Sequence, residues 1–465
     1  MHRTRVVVLG AGIVGAACAR ELALAGLDVL VLDRGGAAAA TTAHGEGNIL
    51  VSDKGPGPEL DLALLSRRLW PEVLAEIADR APAPSDGPGA SLSSAHPSTH
   101  AAEWDPKGGI VVATTEEGAA GLTRFAAEQR AAGVRAEPIQ AREVRAAEPF
   151  LTERHTAAVH YPDDAQVQPA GAATVLLGDA LAHGAELRTG HEVLGAVTRG
   201  GRLVAVRTGR GTVDGDVFVN ATGPWSGEVS ARLGAPVDVR PRRGEILVTA
   251  PLPPTVFHKV YDADYVSAVG SDDTGLQTSA VVEATRGGSV LLGSSRRHAG
   301  FDDRLRPEVL SAVGAKALRL FPSLADVPVM RAYGGFRPYV PDHLPLIGAD
   351  PRLAGLWHAG GHEGAGIGLS VGTARLLREL LLGERPSLDP APFRVDRPAV
   401  LGTAEGVQDG VQDFSAPAAP ERIPDCSTST APDGRAEGAA LDATSPGSTA
   451  APGTAAPTPA PEEGA

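Results

Sequence analysis

The first forty residues constrain the fold more than any other stretch of this chain. Val6 to Leu9 is a continuous apolar run, as a parallel strand buried on both faces requires. Gly10, Gly12 and Gly15 follow at G-x-G-x-x-G spacing, with Ile13 and Val14 between the last two. In such a motif the first glycine permits a tight turn, the second lets backbone approach a pyrophosphate, and the third lets helix and strand pack closely. Ala16 to Ala25 reads as a helix aiming its amide end at the phosphates. Val29 to Leu32 is the second strand, and Asp33, followed by Arg34, closes it. A carboxylate there reaches the ribose hydroxyls and repels a 2′-phosphate, which disfavours NADP. The motif leaves FAD and NAD both open, and a glycine turn in some other α/β protein is the bland alternative.

A chain of 465 residues is about right for two domains of ordinary size. Of the formal charge of -14, the last 65 residues carry -8, from ten acids and two arginines. The body is therefore only mildly acidic, which disfavours a nucleic-acid groove. Cys18 and Cys426 are the only cysteines, too few for a disulfide framework or a cysteine-held metal cluster within the chain. The N-terminus runs directly into a strand, and no stretch reaches the roughly 18 apolar residues of a membrane helix. A cytoplasmic protein with no membrane span and no metal is expected.

After the second strand comes Thr41-Thr42-Ala43-His44-Gly45-Glu46-Gly47-Asn48-Ile49, polar and glycine-rich. Thr41, Thr42, Gly45, Gly47 and Asn48 offer small hydroxyls and exposed amides that could continue phosphate contacts and let a flavin ring lie close to backbone. His44 is placed to face that ring, or to be bound by its own loop. Leu60 to Ala78 is an amphipathic helix by its three- and four-residue apolar spacing. Residues 81–103 read as a surface loop or insertion, rich in Pro, Ser, Gly and His. Gly108 to Ala113 is a turn into a strand, and helices are expected over Glu117 to Ala132, Ala141 to Glu148 and Ala172 to Ala182. Val204 to Thr208 and Val213 to Asn220 read as paired strands, the latter ending at Thr222, Gly223 and Trp225 beside the nucleotide. From Pro241 onward shorter strands, at Glu245 to Thr249, Tyr265 to Val269 and Ser289 to Leu292, suggest an antiparallel sheet covered by a helix over Arg304 to Leu320. Leu356 to Ala359 is a strand, followed by Gly361, His362, Glu363, Gly364, Ala365, Gly366 and Ile367 at a helix entrance suited to the electron-rich edge of a reduced flavin. Residues 399–465 are too poor in apolar side chains to offset ordering and read as a disordered acidic tail.

The N-terminal glycines with Asp33, the Asn220 to Trp225 segment, Pro241-Arg242-Arg243-Gly244-Glu245, Gly335-Phe336-Arg337-Pro338 with Asp342, and Gly361-His362-Glu363-Gly364 together resemble the D-amino-acid oxidase superfamily. That superfamily includes glycine oxidase, sarcosine oxidase and amine dehydrogenase subunits. Residues 3 to 385 carry the resemblance, which is strongest to catalytic β-type subunits of opine, proline or hydroxyproline dehydrogenases and of hydrogen cyanide synthase. It implies an α/β fold with a Rossmann-like FAD-binding domain assembled from discontinuous segments (1–80, 155–235 and 330–398). An antiparallel α+β substrate domain (104–154 and 236–329) would lie over the flavin. It also implies a possible companion subunit carrying an iron–sulfur centre or other electron acceptor, which this chain lacks the cysteines to hold. Members with covalent flavin use a late cysteine; with only Cys426 available in the tail, non-covalent FAD is expected.

The resemblance assigns Arg337 to the substrate carboxylate, and a guanidinium is a rigid bidentate fork well suited to it. A clamped amino acid would present its α-hydrogen to flavin N5 and lose it as hydride, driven by its own amine lone pair, so no nucleophile or general base is needed. The alternative for Arg337 is a structural pair with Asp342. Tyr339, two residues further along, has the strand phase to share its face. Tyr261, Tyr265 and His258 cluster where a substrate-domain strand should meet the ring, with aromatic core packing the competing role. Arg243, with Arg242 and Lys259, is a candidate cover for the flavin, or else a solvated or salt-bridged face. An FAD-dependent oxidation of an amino acid or secondary amino acid leads; a 2-hydroxy-acid dehydrogenase and a non-catalytic flavin-stabilised subunit are the alternatives.

Overall fold

A computed structural model describes residues 4–80, 99–263 and 275–401. Tyr265, the strand expected around it, most of the 81–103 segment and nearly all of the 399–465 tail lie outside the described residues.

The opening motif folds as its residues demand. Strand Arg5–Leu9 lies between Asp28–Leu32 and Val217–Asn220, parallel to both. The sheet extends on one side to Glu186–Arg188 and on the other to Leu356–Gly360, again parallel, and ends in the antiparallel edge Leu346–Ala349. Side-chain alternation gives this sheet two faces. Val6, Val8, Val29, Val31 and Val219 pack into a large core with residues of the helices Ile13–Leu24, Pro58–Arg80, Pro169–Ala182 and Gly366–Leu382. Val7, Leu9, Leu30, Leu32 and Phe218 pack on the other face against Leu203, Val206 and Val213 of a three-stranded antiparallel sheet.

The stretch Val213 to Asn220, expected as one strand, is two. Gly211–Asp214 pairs with Arg202–Thr208, whereas Val217–Asn220 joins the parallel sheet. The chain crosses between them at Gly215, where a Cβ would come within 2.7 Å of Val7 Cγ2, and Asp216 accepts the Arg5 amide at 2.8 Å. Val193–Arg199, the third strand of the small sheet, carries no strong apolar alternation and was not expected.

The second large sheet has eight strands in the order Val329–Tyr339, Arg240–Thr249, Val290–His298, Gln277–Ala284, Lys259–Asp262, Gly109–Ala113, Ala157–Tyr161 and Glu137–Pro138. All pairings are antiparallel except that of Lys259–Asp262 with Gly109–Ala113. Arg240–Thr249 has ten residues where Glu245 to Thr249 was expected, and the eleven-residue strand Val329–Tyr339 was not delimited from the sequence. Charged residues such as Arg242, Arg243, Glu245 and Arg296 interrupt the apolar pattern yet are buried within these strands, so polarity misled the boundaries. Ala157–Tyr161 and Val329–Tyr339 belong to this sheet, although the sequence assigned them chiefly to the FAD-binding segments. Helix Pro307–Leu320 covers it through Val313, Ala317 and Leu320, packed with Val260, Val282 and Leu292. Among the described residues, no helix is long and apolar enough to cross a membrane.

Candidate active site

Where the parallel strands end, a cavity of about 390 Å3 opens between the six-stranded and eight-stranded sheets. Its walls begin with the glycine turn. Gly10 has φ +106°, and a Cβ there would stand 2.5 Å from the Ala221 carbonyl oxygen. Gly15, by contrast, faces inward: a Cβ would meet Gly10 O at 1.9 Å, so its absence is what brings helix and strand together. The helix starts with no acidic residue in its first turn and no side-chain cap from Gly12. Its positive end is thus kept for an anion. Thr42 Oγ1 accepts the Ile13 amide at 3.0 Å, which ties the second loop to the first.

Asp33 holds the strand end together as well as facing the cavity. Its two oxygens accept the amides of Ala11 at 2.8 Å and Gly35 at 2.7 Å. Next to it the Arg34 guanidinium lies 4.0 Å over the Trp225 ring, which stacks on Phe301 at 5.2 Å. A glycine turn with no room for side chains, a helix start free of acidic side chains and a carboxylate at the end of the second strand form a nucleotide cradle, and these residues fit FAD.

Of the residues expected at the cofactor, Gly10, Gly12, Ile13, Val14, Asp33, Arg34, Thr41, Thr42, His44, Gly45, Gly47 and Asn48 line this cavity. So do Thr222, Gly223, Trp225, Gly335, Arg337, His362, Glu363, Gly364, Gly366 and Ile367. Gly15, Gly361, Ala365 and Arg243 are not among its lining. Gly361, at φ +75°, lies against Val340 and Leu346. Arg243 turns away, donating to the Asp303 carbonyl at 2.6 Å with its guanidinium 4.9 Å from the Phe336 ring.

The substrate-side candidates divide more sharply. Arg337 lines the cavity and donates to the Ser295 carbonyl at 2.9 Å. Asp342, its expected structural partner, is instead gripped by Arg397 at 2.7 and 3.1 Å. Tyr339 is buried beyond the cavity wall, its ring 4.7 Å from His298, 5.5 Å from His343 and 5.6 Å from the Arg242 guanidinium. Two residues further along a strand is roughly 7 Å, far enough for Arg242 to enclose it. Tyr261 is fully buried and donates its hydroxyl to Ser52, and burial raises its pKa well above the usual tyrosine value. His258 is held by Glu148, 2.9 Å from Nδ1. Tyr261 and His258 therefore serve the packing between sheet and loops rather than the cavity.

His362 and Glu363 are neighbours with different electrostatics. His362 is buried, 2.9 Å from Thr373 Oγ1, and burial pushes it down to about 4, so it is neutral near pH 7. Glu363 adopts φ +46° and lies between His343 Nδ1 at 2.6 Å and Arg242 at 3.4 Å. The cavity also takes residues that the sequence did not single out. Glu46 stands inside the quoted loop, flanked by glycines that drew attention away from it; Gly244, Ile246 and Phe336 come from the long strands, His191 from just before the small sheet, and Glu228 and Arg232 from the helix Ser226–Leu233. Among the described residues no group of three His, Cys, Asp or Glu side chains is arranged to hold a metal ion.

The architecture and the sequence both have known counterparts. The family model described as FAD dependent oxidoreductase (DAO) matches residues 5–380. The glycine oxidase of Pseudomonas aeruginosa is 30% identical over 394 residues, covering 84% of this chain and 98% of that protein. Hydrogen cyanide synthase subunit HcnC of the same organism is 28% identical over 450 residues, 87% of this chain and all (100%) of that one. The crystal structure of glycine oxidase from Geobacillus kaustophilus superposes with a TM-score of 0.73 at 26% identity, over 85% of this chain and 99% of that chain. That of L-proline dehydrogenase from P. horikoshii shares the fold, with a TM-score of 0.72 at 21% identity, over 84% and 97% of the two chains.

Proposed function

The chain belongs to the FAD dependent oxidoreductase (DAO) family, and from that premise we propose that it oxidises an α-amino acid or secondary amino acid bound through its carboxylate to Arg337. FAD is the cofactor, and when bound it supplies the hydride acceptor. Everything else in the reaction is asked of the protein. Arg337 fixes the carboxylate and so orients the α-carbon. The substrate loses its α-hydrogen as hydride while its nitrogen lone pair forms the imine. His362, neutral near pH 7, adds no charge of its own to the site.

The observation that carries this reading is the setting of Arg337. It lines the cavity across from the glycine loop, and the space for its guanidinium exists because position 244 has no side chain, where a Cβ would stand 2.1 Å from Nη1. In finer form, we propose non-covalent flavin, a cytoplasmic location and an FAD-binding part built from three separate segments. We also propose re-oxidation by a companion subunit or other acceptor, supported by the likeness to a protein named as a synthase subunit.

The test is anaerobic bleaching of the visible flavin band by glycine, sarcosine, D- and L-amino acids, proline isomers, hydroxyprolines and opines, with 2-hydroxy acids alongside. One amino compound should bleach it rapidly, and admission of air then separates oxygen from another acceptor. Arg337→Met should raise the KM for that compound by about 30-fold or more while leaving flavin content unchanged, the scale expected when one member of a buried charge pair is lost. Bleaching by hydroxy acids alone would refute the amine reading.

A further inference from the structure

Glu46 is buried in the cavity wall, 8% exposed, between two glycines whose missing side chains let the loop pack against Ile367 and the Val167 carbonyl. Its Oε2 accepts a hydrogen bond from Asn48 Nδ2 at 3.1 Å and lies 3.9 Å from Lys259 Nζ. Its Oε1 is buried without any hydrogen-bond partner. A buried carboxylate oxygen left unsatisfied is costly unless something that binds there completes it. The surroundings add to the imbalance. Lys259 also serves Glu283, 3.3 Å away, so these two carboxylates share that ammonium, and Glu283 Oε1 is likewise unpartnered.

The position of Oε1 matters as much as its charge. It occupies the place of a missing side chain at Gly293, where a Cβ would stand 2.2 Å from it. Two residues along the same strand, Ser295 accepts from Arg337 through its carbonyl. An unsatisfied acid and the carboxylate-binding guanidinium are thus anchored two residues apart on the strand Val290–His298.

We infer that Glu46 is a specificity-determining residue whose carboxylate takes a positively charged nitrogen of the substrate. The inference rests on the amine-oxidation reading above and narrows it: the site selects a substrate with a carboxylate for Arg337 and a cationic nitrogen for Glu46. A 2-hydroxy acid would leave Oε1 without its cation, which disfavours that substrate class. The nitrogen is either a side-chain amine or the reacting amine, which in that case passes its proton to the Glu46 carboxylate before its lone pair forms the imine, and ligands can tell the two apart.

Binding to the oxidised holoenzyme, followed by perturbation of the flavin spectrum, needs no turnover. The ligands are α-aminoisobutyrate, which has no α-hydrogen to lose, its nitrogen-free counterpart trimethylacetate, 5-aminopentanoate and hexanoate. Glu46→Gln keeps shape and removes charge; it should weaken a nitrogen-bearing ligand by about tenfold or more while changing the nitrogen-free acids by less than about twofold. Selective loss of α-aminoisobutyrate identifies the reacting amine, and selective loss of 5-aminopentanoate a side-chain amine. Gly293→Ala, whose methyl group displaces the Glu46 carboxylate, should reproduce the same selectivity independently. Equal weakening of all four ligands, or of none, overturns the inference. Failure of every amine to bleach the wild-type flavin, with this binding selectivity intact, would refute the oxidation reading instead.

Discussion

Tyr261 and Asp164 meet at Ser52, which accepts the tyrosine hydroxyl and donates its own to the carboxylate. Asp164 also accepts the amide of Val51 at 2.9 Å and that of Ser52 at 3.3 Å, and no solvent reaches it. Burial outweighs these hydrogen bonds and pushes its carboxyl up from 3.8 to about 6. An acid with a raised folded-state pKa stabilises the fold fully below its unfolded value, and that contribution is lost as pH rises through the folded value. For Asp164 the window runs from about pH 4 to about pH 6, and the change is roughly 3 kcal/mol. Asp164→Asn cannot ionise, so its melting temperature relative to wild type should climb across that window and level off above it. A difference independent of pH would mean that the carboxyl is not titrating there. The sequence marked Tyr261 by its aromatic neighbours, but its role depends on Ser52 and Asp164, which reach it only through the fold.

Among the elements, the helices over the six-stranded sheet are joined by charge as well as by apolar packing. Arg20, in the middle of Ile13–Leu24, is 1% exposed. It donates to Asp179 of Pro169–Ala182 and to Glu76 of Pro58–Arg80, both at 2.7 Å. Glu21 accepts from Arg375 of Gly366–Leu382 at 3.0 Å, which brings in the fourth helix. A buried pair adds little against a well-packed apolar substitute, but removing one partner strands the other. Arg20→Met should therefore cost about 3–5 kcal/mol in urea unfolding, with Arg20→Met/Asp179→Leu recovering much of the loss. A single-variant cost below about 1 kcal/mol would mean that apolar packing alone holds these helices. The helices themselves were legible from apolar spacing. Arg20 was not, because a charged residue in a helix reads as a solvated face until the neighbouring helices are in place.

At the scale of the whole molecule, the cavity gathers residues from Leu9 to Asn48, His191 to Arg232, Gly244 with Ile246, and Gly335 to Ile367. The end of the described chain supports this assembly: Phe393, Val395 and Val400 are buried, the last two with Val237, Val239, Val340 and Leu346, while Arg397 holds Asp342. A chain ending at Pro390 should lose flavin and melt at lower temperature, whereas one ending at Leu401 should keep both; equal flavin content in the two would show that this segment does not support the site. The sequence by itself determined the nucleotide half of the protein. A tight turn at Gly10, a close approach at Gly15, a helix start without acidic side chains and an acid at a strand end are local requirements, and each leaves its mark within a few residues. Arg337 was legible through family resemblance and its bidentate chemistry. Only the tertiary structure decided which polar residues of the second sheet face the cavity and which are buried behind it. It turned Arg243 toward Asp303, enclosed Tyr339, left Glu46 with an unsatisfied oxygen, and gave Asp342 to Arg397. A side chain's burial and partners are set by contacts between distant segments, and neither strand phase nor residue type encodes them locally.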